Sequence, residues 1–337
     1  MGVEENPMTA PLAEAIRRKV QGATGIANLK RLSGGASQET WAFDVTTGGA
    51  PIPLILRRAP GGRRMEGRSG AAAGLETEAQ LIMLAGAAGV AVPPVRLVLE
   101  EADGVGVGFV MDRIEGETIA RKILRDAEFA DARPRLARQC GEILAKLHKI
   151  DKAKLPPLRV SPAGAEIEQY FQTYKAHNHP HPVFELAFRW LRERVPPDAT
   201  ELTLVHGDFR HGNLMIGAEG VRAVLDWELA HIGDPMEDLG WICVNSWRFG
   251  GIDNPVGGFG KREDLFAGYE AVSGVKVDPA RVKFWEVLGT LKWGIMCTSM
   301  YEAFKAGDRS VERATIGRRS SETEVDLMRL LAPRGKD

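Results

Sequence analysis

The chain predicts a two-lobed α+β fold, with a small antiparallel β-rich lobe over residues 1–112 and a larger, mainly helical lobe over 113–337. Three observations carry this. Residues 26–58 alternate apolar and polar side chains around glycine-rich turns, the period of strands with one buried face. Beyond residue 116 the apolar residues recur three and four apart, the period of amphipathic helices. A length of 337 residues is about twice the ~150 of a typical domain, enough for two lobes.

Taken in order, Leu12, Ile16 and Val20 share a helical stripe that starts at Pro11. A strand over 26–32 runs into Ser33-Gly34-Gly35-Ala36-Ser37, and Trp41, Phe43 and Val45 alternate as a second strand. After the turn Thr47-Gly48-Gly49-Ala50-Pro51, residues 53–57 read as a third strand, completing an antiparallel meander. The Gly- and Arg-rich stretch 59–74, with Arg63, Arg64 and Arg68 opposed only by Glu66, reads as a mobile loop. Leu75, Ala79, Ile82 and Met83 set a helix that stops at Gly86–Gly89, and strands follow over 95–100 and 108–114. In the helical lobe, Leu136 to Leu147 mark a strong helix closed by His148-Lys149. Further helices are expected near 164–176, 182–194, 235–246, 262–272, 279–304 and 321–331, with short strands at 202–205, 214–216 and 221–225.

Composition narrows the function. Lys plus Arg is 44 against 45 Asp plus Glu, a net charge of −1 that argues against a nucleic-acid partner. The 44% hydrophobic and 26% charged content excludes disorder and collagen, and supports a full core. Three scattered cysteines with no CxxC pair point to free thiols in a reducing compartment and to no zinc site. The chain opens with no cationic head followed by an apolar run, and no stretch approaches the ~18 apolar residues of a membrane span. A cytoplasmic protein with no membrane partner is expected.

The strongest chemical signal is His206-Gly207-Asp208-Phe209-Arg210-His211-Gly212-Asn213, followed by Val224-Leu225-Asp226-Trp227-Glu228. Two acids and an amide at this spacing suit phosphoryl transfer. One carboxylate accepts a hydroxyl proton, and a second carboxylate with a side-chain carbonyl holds Mg²⁺, a hard cation that prefers oxygen. A hairpin over 214–225 would return Asp226 beside Asn213. Read singly, either segment could be a surface loop with a capping Asp; together, in this order, they favour chemistry.

This pattern resembles the aminoglycoside phosphotransferase and choline kinase superfamily of small-molecule kinases, which shares the protein-kinase fold, over about residues 26–300. The resemblance implies Asp208 as the base, and Asn213 and Asp226 as the metal ligands. It puts Ser33, Gly34, Gly35 and Ser37 in the turn that covers the phosphates, Arg57 as the third-strand cation and Glu78 as its helix partner. Met111 to Arg113 becomes the hinge that holds the adenine of ATP through backbone groups, with GTP left open. The Gly233-Asp234-Pro235 segment also follows the family pattern. The wording around Asp208 and Asp226 is most similar to the branch fused to acyl-CoA dehydrogenases, a branch associated with phosphorylating hydroxyacyl-CoA compounds. The implied partner is a small molecule bearing a hydroxyl.

Two departures stand out. Arg57 replaces the family's usual Lys, so phosphate would be clamped by a fork rather than a point charge. Arg58 is the alternative one register away, facing the opposite side of the sheet. Arg210 follows two residues after the base, where it could neutralise charge on the transferring phosphoryl group, and the surrounding Phe209-Arg210-His211 makes an antibiotic acceptor less expected.

Other residues carry more than one reading. Glu78 lies at the edge of an apolar stripe, where a carboxylate is costly unless paired, so either a cation from the sheet meets it or the helix is tilted to solvent. Gly34-Gly35 could simply close a hairpin. Asp234-Pro235-Met236-Glu237 reads as a helix cap, Asp238 and His206 as braces of the catalytic loop. His177, His179 and His181 alternate with Asn and Pro without an accompanying metal pattern. The arginines of 57–68 serve either the nucleotide or the phosphates of a coenzyme A acceptor, and Trp285 and Trp293 are core, one of them able to line an acceptor pocket. A protein kinase is disfavoured because Asp226 runs within eight residues into a helix cap, leaving no substrate-docking segment. A nucleotide-binding scaffold without turnover, a metal hydrolase and an aminoglycoside or amino-alcohol kinase are the remaining alternatives. The acceptor's identity and the oligomeric state stay open.

Overall fold

Alternation in the first lobe becomes a sheet with two different faces. In the computed structural model, which describes residues 6–32, 38–63, 73–197 and 201–332, helix α1 (Thr9–Lys19) precedes strands β1 (Ala23–Arg31), β2 (Glu39–Thr47) and β3 (Ile52–Arg58). Helix α2 (Leu75–Ala87) then leads to β4 (Val95–Val98) and β5 (Gly108–Asp112). The five strands lie in the order β1-β2-β3-β5-β4, and every neighbouring pair is antiparallel. Phe43, Val45, Leu54 and Leu56 point to the side covered by α1, where they bury with Leu12 and Ile16. The period of two sends Thr40, Ala42, Ile55, Arg57, Phe109 and Met111 to the other face, toward the second lobe.

The second lobe is built on helices that bury one stripe each. They are α3 (Ala120–Arg125), α4 (Arg133–His148), α5 (Ala163–His177) and α6 (Pro182–Arg192). After the short strands come α7 (Met236–Trp241), α8 (Arg262–Ser273), α9 (Pro279–Lys305), α10 (Val311–Gly317) and α11 (Ser320–Leu331). Helix α9 is apolar nearly all round from Val282 to Cys297, and so sits at the centre with α5, α6, α7, α10 and α11 against it. Two small antiparallel pairs present the loops between them: β6 (Thr203–Val205) with β9 (His231–Gly233), and the hairpin β7 (Leu214–Gly217) with β8 (Gly220–Val224).

Among the described residues the expected order of elements holds, with helices α3 and α10 and strand β9 added and with β4, β5 and α7 ending earlier than expected. Helices α3 and α10 and strand β9 have three to seven residues each, too few to show a period in the sequence. The helix expected over 235–246 ends at Trp241, and residues Asn245–Trp247 form a separate 3-10 turn. Among the described residues no helix is long and apolar enough to cross a membrane.

Candidate active site

Strand β6 delivers the chain into His206-Gly207-Asp208. Gly207 stands at φ +76, and a Cβ there would come within 2.5 Å of the Leu229 carbonyl, so only glycine fits the turn. Asp238, fully buried on α7, accepts from the amides of His206 (2.8 Å) and Gly207 (3.0 Å) and from His148 Nε2 (3.1 Å). It braces the loop, as the sequence suggests, and His148 contributes to that brace beyond closing its helix. His206 accepts the Asp208 amide at Nδ1 (3.2 Å), which leaves Nε2 to donate to the Leu225 carbonyl (3.2 Å). Burial holds it below its ordinary pKa against the pull of Asp238, Asp208 and Asp226. Its role is to tie two loops together rather than to carry protons.

The Asp208 carboxylate is 9% exposed and surrounded by donors. Trp241 Nε1 donates to Oδ1 (2.9 Å), Asn213 Nδ2 to Oδ2 (2.6 Å), and Arg210 Nε lies 3.0 and 3.2 Å from the two oxygens. Because the Asn213 amide nitrogen also reaches the Asp208 carbonyl (3.0 Å), its side-chain oxygen is the atom left for another partner. The β7–β8 hairpin pairs Leu214 with Val224, and the Leu225 amide donates to the Asn213 carbonyl (2.8 Å), so Asp226 comes back beside Asn213. Asp226 itself takes φ +66, a left-handed conformation that Asp tolerates better than most residues.

Arg57 joins two carboxylates. Its Nε lies 2.9 Å from Glu78 Oε1, and its Nη2 donates to Asp226 Oδ1 at 2.5 Å. Glu78 is 1% exposed, so the paired reading of this acid holds and the solvated one does not. Burial pushes its carboxyl up, to about 7; Arg57 pulls the other way, and Asp226 and Glu228 push it further up. Burial works against the charge of Arg57, but Glu78 and Asp226 outweigh it and hold the guanidinium protonated. Arg58 turns to the opposite face and pairs with Glu39 at 3.3 Å, which settles the register in favour of Arg57.

These groups edge a cleft of about 780 Å³ between the sheet and the β7–β8 hairpin. Ile55, Ile82, Phe109, Met111, Met215 and Val224 supply its apolar walls, and Arg57, Glu78, Asn213 and Asp226 its polar end. Met111 and Arg113 both line it, at the rim where β5 leaves the sheet. The amides of Asp112 and Arg113 already donate to the carbonyls of Pro94 (2.9 Å) and Pro53 (3.1 Å). A ligand on this rim would therefore meet other backbone groups of the segment, or the Arg113 side chain, which pairs with Asp44 at 3.1 Å. The expected phosphate-covering residues Ser33, Gly34, Gly35 and Ser37 lie outside the described residues, as do Arg64 and Arg68 of the basic loop.

Several groups were not legible as site residues. Trp241 reaches Asp208 from α7, and Lys292 lies buried on α9 with its ammonium 4.7 Å from the Trp241 ring and 3.4 Å from the Gly207 carbonyl. Burial disfavours that charge, yet Tyr170, Glu237, Glu166 and Asp208 together raise its pKa above the usual range. The signal for Lys292 is present in the sequence, a single cation in the apolar run Val287–Cys297; Trp241 has no such signal. Asp234 accepts the Met236 amide (3.0 Å) from one residue before the cap position, which Pro235 takes instead, and Glu237 turns to His231 (3.2 Å) rather than back to the cap. Trp285 and Trp293 are core, and Trp285 donates to Asp234 (2.9 Å). The histidines at 177, 179 and 181 bond to Ser299, to one another and to Glu324. Among the described residues no group of three or more His, Cys, Asp or Glu side chains is arranged to hold a metal.

The chain is similar to known proteins in sequence and in fold. The profile of the phosphotransferase enzyme family (APH) matches residues 28–275. Acyl-CoA dehydrogenase family member 11 of Gallus gallus is 27% identical over 94% of the chain, and a probable acyl-CoA dehydrogenase of Arabidopsis thaliana is 26% identical over 88%. The chain spans only 41% and 38% of the length of those two relatives. A putative aminoglycoside phosphotransferase of Ralstonia eutropha superposes with a TM-score of 0.74 at 21% identity, covering 96% of this chain and 97% of that one. A thermostable mutant of the aminoglycoside phosphotransferase APH(4)-Ia, solved as a ternary complex with AMP-PNP and hygromycin B, superposes with a TM-score of 0.61 at 16% identity, covering 96% and 99%. These likenesses establish a protein-kinase-like fold.

Proposed function

Since the chain belongs to the phosphotransferase enzyme family (APH), we propose that it moves the γ-phosphoryl group of ATP to a hydroxyl of a small molecule, with Mg²⁺ in the site. The observation that carries this reading is that Asn213 and Asp226 meet at the polar end of one cleft, with the Arg57–Glu78 pair against them and Asn213 bonded to Asp208. Asp208 orients the acceptor hydroxyl and takes its proton as the oxygen bonds to the γ-phosphorus and the bond to the β-phosphate oxygen breaks, releasing ADP. The free side-chain oxygen of Asn213 and the carboxylate of Asp226 are hard donors that would hold Mg²⁺. Bound there, the metal screens phosphate charge. Arg57 keeps Glu78 through Nε and turns its outer nitrogens from Asp226 to phosphate, and Arg210 faces the transferring group. Little of this is covalent catalysis; positioning and electrostatics do most of it.

The acceptor would enter from a second cavity, of about 930 Å³, that shares Thr118 with the nucleotide cleft. Phe249 lines it and packs on His211 of the catalytic loop, ring centroids 5.6 Å apart. Ile119, Ile252 and Val325 make its wall apolar, while Arg121, Arg319 and Arg329 add three cations against the acids Glu322 and Asp326. An acyl chain joined to phosphates suits that mixture. With the two relatives named as acyl-CoA dehydrogenases, it favours a hydroxyacyl-CoA over an amino sugar.

Thermal shift with ATP, in the presence and absence of Mg²⁺, tests the metal half of the reading. Wild type should melt higher with ATP and Mg²⁺ together than with ATP alone, and Asp226→Ala should lose that increment, because the Asn213 amide carries no compensating charge. An increment as large in the variant as in wild type would remove Asp226 from the metal site.

A further inference from the structure

Asp208 has more donors than a free base needs. A carboxylate offers about four acceptor positions, and in this site Trp241, Asn213 and the bifurcated Arg210 Nε occupy them. An acceptor hydroxyl reaches the carboxylate only by displacing one of the three. Asn213 is tied twice to Asp208 and is 6% exposed. Trp241 is 3% exposed and held on both sides, by the Trp247 ring at 5.3 Å and by the Lys292 ammonium at 4.7 Å over its face. Lys292 is in turn fixed by the Gly207 carbonyl and by Glu237 at 3.7 Å. The Arg210 side chain, 26% exposed and lying 4.8 Å over Trp247, is the one donor with room to leave.

We infer that Trp241 is a positioning residue: its indole N–H, backed by Lys292, fixes the Asp208 carboxylate so that the place now held by Arg210 is where the acceptor hydroxyl binds. Withdrawn from Asp208, Arg210 is released toward the phosphoryl group in the same movement. The inference rests on the reading of Asp208 as the base. The neighbourhood contains its own control. Trp247 and Trp293 belong to the same aromatic cluster, and their buried indole nitrogens have no hydrogen-bond partner. Of the three, Trp241 is the one whose N–H meets a carboxylate.

Trp241→Phe keeps an aromatic ring and removes the N–H, and Trp293→Phe makes the same change in volume with no hydrogen bond to lose. The expected result is a kcat lower by about 10–100-fold in Trp241→Phe with KM for ATP and acceptor within about twofold, and a kcat within about twofold of wild type in Trp293→Phe. Equal losses in the two variants, or an unchanged kcat in Trp241→Phe, would overturn the inference. A second readout needs no turnover. In ¹⁵N spectra of the full chain, Asp208→Ala should move the Trp241 indole N–H resonance and leave that of Trp293 in place; an unmoved Trp241 resonance overturns the inference as well. A wild-type protein that phosphorylates no hydroxyl acceptor contradicts the phosphotransferase reading instead, while the spectra still decide on Trp241.

Discussion

Arg57 answers to two acids at once, and the choice of arginine over lysine follows from that. A guanidinium presents Nε to the buried Glu78 and Nη2 to Asp226 from two corners of one planar fork, whereas an ammonium would have to meet both acids from a single nitrogen. Arg57→Met would strand a carboxylate that is 1% exposed, and should lower stability by about 3–5 kcal/mol. Arg57→Lys should recover most of that loss while leaving kcat down by roughly 10²-fold, since phosphate is no longer held in a fork. Denaturant titrations read beside turnover check this, and a methionine variant as stable as wild type would refute the pairing as a support of the fold. Glu78 was legible because a charge on an apolar stripe must be paid for by a partner. Trp241 was not, because a hydrogen bond from a helix 33 positions along the chain leaves no local trace.

At the scale of elements, the buried charges between α5 and α9 hold the platform under the loop that carries Asp208. Glu166 on α5 accepts from Arg159 and Ser161 and faces Lys292 on α9. Burial raises its pKa, but Lys292, Arg159 and His231 outweigh that and hold the carboxyl at about 2, below its ordinary value of 4.5. A lowered acid pKa gives stability that is full above 4.5 and lost as pH falls from there toward 2, worth about 3 kcal/mol. Glu166→Gln should therefore be less stable than wild type at pH 7 by about that amount, with the gap narrowing by roughly 1 kcal/mol at pH 3.5. Urea midpoints at the two pH values read this directly, and a gap that does not change with pH would contradict it. Elements with a repeating pattern, such as the meander, α2 and the β7–β8 hairpin, could be read from the sequence. Helices α3 and α10 and strand β9 could not, since β9 exists through its pairing with β6, across a segment that brings Leu204 against Ile232.

For the molecule as a whole, the sequence carried the two lobes and the meeting of Asn213 with Asp226 and of Arg57 with Glu78, because these rest on periodicity and on short-range spacing. What it did not carry is the arrangement that three-dimensional packing alone creates: the donors around Asp208, the Lys292 support and the second cavity beside Phe249. Those features join residues from α3, α7, α9 and α11, which share no stretch of chain. In the proposed reaction Asp208 takes a proton from a hydroxyl while phosphate moves to that oxygen. The most direct measurement is transfer of label from γ-³²P-ATP, with Mg²⁺, to a hydroxyacyl-CoA and to the corresponding hydroxy acid, by wild type and by Asp208→Asn. Labelled acceptor is expected with wild type, and a rate lower by about two orders of magnitude or more in the variant, whose nucleotide affinity persists. Undiminished transfer by Asp208→Asn would contradict it.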